Sequence, residues 1–115
     1  MHSLDTDTIL DREQLREITM DDSDLMQELL DTLVSDTAAQ LDLLDCAIRE
    51  QDPQRTMRLA HYCKGACANV GANSMAALLK RLEQQAAAGE FAQCQASYAG
   101  LPRELERLRH EAESL

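Results

Sequence analysis

Apolar residues recur at spacings of three and four through most of the chain, the period of an α-helix rather than the alternation of a strand. The longest run, Met26, Leu29, Leu30, Leu33, Leu41, Leu44 and Ile48, predicts an amphipathic helix of about seven turns, opened by the acidic cluster Asp21, Asp22, Ser23 and Asp24 where the helix dipole favours negative charge. A shorter helix precedes it, with Leu10 at N′, Asp11 as cap, Gln14 at N3 and Leu15 at N4, fading near Thr19. Residues Met1 to Ile9 are polar and acidic, and are expected to be a flexible lead-in. Asp52-Pro53 marks the start of a third helix, because Asp caps and Pro at the first position loses only an orphan N–H. That helix runs to about Val70, where Gly71 suits a left-handed C′ position and Asn73 is expected to cap the next. The fourth carries Met75, Leu78, Leu79, Leu82 and Ala86 and ends near Gly89. A fifth uses Cys94, Tyr98, Leu101, Leu105 and Leu108, with Pro102 a kink or brief restart. Short connections between the long helices predict an all-α, antiparallel up-and-down four-helix bundle with a short extra N-terminal helix, one domain over residues 1–115.

Composition agrees. The chain has 115 residues and is 44% hydrophobic but only 3% aromatic, so its core is expected to be Leu, Met, Ala and Cys, which suits helices. With 21 Asp and Glu against 11 Lys and Arg the net charge is −10, which argues against a nucleic-acid partner. No apolar run approaches the roughly 20 residues of a membrane span and the N-terminus lacks a signal-peptide core, so a cytoplasmic location is expected. Cys46, Cys63, Cys67 and Cys94 contain no C-x-x-C pair and lie in apolar-periodic segments; they are expected to be reduced core thiols.

On the third helix the expected buried stripe of Leu59, Cys63, Ala66 and Val70 lies opposite His61, which therefore points to solvent. Around it on the same face fall Met57, Arg58, Lys64, Gly65 and Ala68. A glycine inside a helix costs about 0.5–1 kcal/mol relative to Ala, and at Gly65 the missing side chain would let a partner's backbone approach beside the imidazole. Between Asp52 and Glu83 there is no acidic residue but five cations, Arg55, Arg58, Lys64, Lys80 and Arg81, so a basic segment surrounds His61 in an acidic chain. A neutral imidazole is a nucleophile. No other histidine or carboxylate lies close in sequence to act as a relay, and the motifs of self-sufficient hydrolases are missing. Accepting a phosphoryl group from an activated donor needs less: an accessible nitrogen and a cation near the equatorial oxygens, for which Lys64 at i+3 is placed.

The run A-H-Y-C-K-G-A-C-A-N-V-G-A, Ala60 to Ala72, resembles the signature H-x-L-K-G-[SA], followed by G-A, of histidine-containing phosphotransfer (HPt) domains, and Leu82-Glu83 resembles the L-E of that family's next helix. Cys63 stands where the family prefers Leu. The resemblance implies that His61 is phosphorylated, on Nε2, that Lys64 steadies the phosphoryl group and that Gly65 leaves room for a docked receiver domain. It implies a phosphocarrier rather than an autonomous enzyme, which takes the group from a receiver-domain aspartyl phosphate and passes it to another receiver aspartate, the receivers of response regulators or of a hybrid histidine kinase supplying the Mg²⁺, with no cofactor of the chain's own. Met57 and Ala68 would lie beneath the partner, Arg58, Lys80 and Arg81 at its rim, and the carrier is expected to be a monomer. Two other readings compete: a metal-binding bundle using His61, Cys63 and Cys67 with His110 or Cys94, and an adaptor bundle whose surface histidine is incidental. His2 and His110 have no constellation around them.

Overall fold

Three aspartates set where the long elements begin. In the computed structural model, which describes residues 8–115, Asp11, Asp22 and Asp52 each accept a hydrogen bond, at 3.1 Å, from the backbone N–H three residues on. They open α1 (Arg12–Thr19), α2 (Ser23–Arg49) and α3 (Pro53–Val70), as the sequence predicts. The chain continues as α4 (Asn73–Ala87), α5 (Phe91–Tyr98) and α6 (Leu101–Glu113). α3 packs most extensively on α4 and next on α2, α2 lies along α6, and α5 covers α4, so that α5 and α6 together fill the fourth position of the bundle. The break between them at Ala99 and Gly100 is a restart rather than a kink: Pro102 sits in the first turn of α6, where its missing N–H costs no intrahelical bond.

The α3–α4 turn departs from expectation. Asn73 is not a cap but the first residue of α4; buried Ala72 precedes it, and no side chain caps the helix. The acceptor comes from the lead-in segment instead, where Thr8 carbonyl takes the Ser74 N–H at 2.9 Å. Thr8 and Ile9, expected to be frayed, are thus held, and Ile9 packs against the core; the rest of that segment, residues 1–7, lies outside the described residues. α1 completes the clamp. The Asp11 N–H donates to Gly71 carbonyl at 2.8 Å, and the Gln14 amide donates to the carbonyls of Ala68 and Asn69 at the end of α3. Gly71 has φ of 91°, and a Cβ there would stand 2.9 Å from the backbone oxygen of Asp11.

The buried stripe of α3 is Thr56, Ala60, Cys63, Cys67 and Val70, turned about 50° around the helix from the expected one, with Leu59 and Ala66 only half-buried. Small residues line it because α4 comes close. Cys63, Cys67 and Cys94 are core thiols, as expected, but Cys46 is exposed, about 180° around α2 from buried Thr37. The centre of the bundle is filled by Leu30, Leu44, Ile48, Leu79, Leu82 and Leu108.

Because both the left-handed backbone and the contact with Asp11 exclude a side chain at Gly71, Gly71→Ala is expected to cost about 1–3 kcal/mol, read as a lower urea midpoint. An unchanged midpoint would mean that α1 does not clamp this turn.

Candidate functional site

His61 lies midway along α3 with 70% of its side chain exposed, as its place opposite the apolar stripe predicts. Its ring is held in one orientation by α4. Glu83 Oε2 lies 3.0 Å from His61 Nδ1, and Glu83 Oε1 accepts from Lys64 Nζ at 2.8 Å, so one carboxylate bridges both residues of α3. An ionised carboxylate can only accept, so in the neutral imidazole the proton sits on Nδ1 and the Nε2 lone pair is free. Burial works to raise the Glu83 pKa, but the hydrogen bonds and charges of Lys64 and His61 outweigh it and hold the carboxyl below the ordinary glutamate range. Glu83 is therefore ionised at neutral pH.

Glu83 was not singled out among the site residues by sequence reasoning, which found no carboxylate near His61 in the chain; the two are neighbours only in space, 22 positions apart. The available signal was its place as the first acid after the basic segment, in the Leu82-Glu83 pair. Tyr62 was missed as well. It is 55% exposed beside His61, and its hydroxyl donates to Asp36 Oδ2 on α2 at 3.1 Å.

The remaining predicted residues are distributed unequally. Gly65 is exposed, and among the described residues a Cβ there would meet nothing within 4 Å, so no neighbour of the described bundle explains it. Arg58 and Ala68 are exposed, whereas Met57 is half-buried and packs against the core. Of the five cations, Lys64 pairs with Glu83 and Arg55 with Glu50; Arg58, Lys80 and Arg81 form no ion pair among the described residues. Helical geometry sets Lys80 about 60° from Glu83 but Arg81 about 160° away, so Arg81 stands off from the imidazole.

The proposed metal set does not assemble among the described residues. Cys63 and Cys67 are buried on the side of α3 away from exposed His61, and burial pushes their thiols up to about 11 and about 12. His110 is exposed between Glu106 and Glu113, at 3.9 and 3.6 Å; His2 lies outside the described residues.

With this geometry in hand, the chain can be compared with known proteins. Residues 28–111 match the family model of the Hpt domain. The chain is similar to the crystal structure of histidine-containing phosphotransfer protein B from Pseudomonas aeruginosa PAO1, at 31% identity over 92% of both chains and a TM-score of 0.85. A search of curated proteins gives no match. The chain belongs to the Hpt domain family, and its role is histidine phosphotransfer in the relays of two-component signalling. Members of this family are phosphotransfer carriers rather than kinases and interact with receiver domains. No helix among the described residues is long and apolar enough to cross a membrane.

By its lowered pKa, Glu83 contributes stability that is present at neutral pH and is lost as pH falls through its own midpoint. Carboxyl ¹³C NMR is expected to give that midpoint below the ordinary 4.5, and Lys64→Ala should move it up. A midpoint unmoved by Lys64→Ala would contradict the bridge.

Proposed function

We propose that His61 is the residue that carries the phosphoryl group, taking it from an aspartyl phosphate on one receiver domain and passing it to an aspartate on another. The observation that carries this reading is the exposed imidazole whose Nδ1 is engaged by Glu83 while Nε2 has no partner among the described residues. The Nε2 lone pair attacks phosphorus in line, the P–O bond to the receiver aspartate breaks, and the aspartate leaves as a carboxylate. The ring keeps its Nδ1 proton and becomes cationic, a charge offset by Glu83. Lys64, on the same face, lies where its ammonium can turn to the phosphoryl oxygens. The reverse sequence, with a second receiver, returns the group.

The Mg²⁺ of the reaction is assigned to the receiver. On this chain the carboxylate beside His61 already accepts from two groups, which fits an orienting role better than a metal site. Gly65 gives the partner backbone its approach, Ala68 continues that flat surface, and half-buried Met57 supports its floor. Arg58 and Lys80 form the inner rim facing an acidic partner, with Arg81 further out.

Incubation with a phosphorylated cognate receiver is expected to give an acid-labile, base-stable phosphoprotein. His61→Gln should abolish the label, and a label that persists would reject the assignment; an inert adaptor would take no label at all. Lys64→Ala should slow transfer without unfolding the protein. Gly65→Ala separates docking from folding: it should raise stability by about 0.5–1 kcal/mol in urea and yet slow transfer from the receiver. A variant as fast as the parent would show that Gly65 has no part in docking.

A further inference from the structure

The chain has three aromatic residues, one Phe and two Tyr. Phe91 and Tyr98 pack against the core, and the Tyr98 hydroxyl donates to Leu41 carbonyl. Tyr62 is the exception: more than half of it faces solvent, at the position directly after His61. Its ring is nevertheless not free. The bond to Asp36 ties the hydroxyl to α2, and that bond and the Asp36 charge hold the phenol proton more firmly than usual. Arg58 stands one turn earlier on α3, at i−4 from Tyr62 and therefore on the same side, exposed and without a carboxylate partner among the described residues.

The surroundings of His61 are thus divided. On the α4 side lie Glu83 and Lys64, which orient the ring and neutralise charge. On the α2 side lie Tyr62, Asp36 and Arg58, which make no contact with the imidazole nitrogens that the structure records. A Tyr and an Arg side by side, one of them already oriented, are the residue types that dominate binding energy at protein interfaces, and prior orientation lowers the entropy cost of docking.

We propose that Tyr62, oriented by Asp36 and flanked by Arg58, is the contact through which this chain selects among receiver domains, favouring one that offers an apolar depression for the ring with a carboxylate at its edge. The proposal rests on the His61 reading, since its partner is the receiver that exchanges phosphate there.

The test uses the full chain and two donors: phosphorylated receivers, which must dock, and phosphoramidate, which needs no docking. Tyr62→Ala is expected to lower kcat/KM from the cognate receiver about tenfold, chiefly through KM, and to narrow the difference between cognate and non-cognate receivers, while phosphoramidate labels His61 at the parent rate. Tyr62→Phe keeps the ring and should retain most of the activity, and Asp36→Asn should fall between. Wild-type transfer and selectivity in Tyr62→Ala would overturn the proposal. So would an equal loss with phosphoramidate, because Tyr62 would then act on the imidazole rather than on docking. If phosphoramidate fails to label His61 even in the parent chain, it is the assignment of His61 that fails.

Discussion

The bridge from Glu83 to His61 and Lys64 is the constraint on which the site depends. As an interaction between partly exposed groups it contributes little to stability, on the order of 1 kcal/mol or less. Its importance is geometric. A carboxylate that accepts from Nδ1 selects the tautomer in which Nε2 is basic, turns that nitrogen outward and would compensate the charge that the ring gains in the proposed phosphorylation. The same carboxylate keeps the Lys64 ammonium within one side chain's reach of the imidazole.

That bridge exists only if α3 and α4 are in register, and several distant features serve the register. Small residues on the buried stripe of α3, Ala60, Cys63 and Cys67, let α4 approach closely. At the far end of the pair, α1 and the residues that lead into it hold the turn between the two helices: Asp11 against Gly71, Gln14 on the last carbonyls of α3 and Thr8 on the first turn of α4. The N-terminal helix is thus part of the apparatus that aligns His61 with Glu83, though it lies at the end of the bundle.

Features governed by neighbouring residues were legible in the chain. The caps at Asp11 and Asp52, the acidic opening of α2, the left-handed Gly71 and the exposed side of α3 each follow from interactions within a few positions. Features governed by packing between helices were not. On α3 the apolar period set Leu59 and Ala66 in the buried stripe and left out Thr56 and Ala60, because the face that α4 covers is chosen by how closely the helices approach rather than by hydropathy. Asn73 has the chemistry of a cap, but a carbonyl from another part of the chain took that task. Glu83 and Asp36 are invisible as partners of His61 and Tyr62 for the same reason: the pairing is set by how antiparallel helices slide against one another.

The most direct measurement is the ¹⁵N NMR spectrum of the His61 ring at and above neutral pH. A bridge to Glu83 predicts a proton fixed on Nδ1 and a pyridine-like Nε2, with the preference lost in Glu83→Ala. A ring protonated on Nε2, or one averaging freely between the two tautomers in the parent chain, would contradict the account.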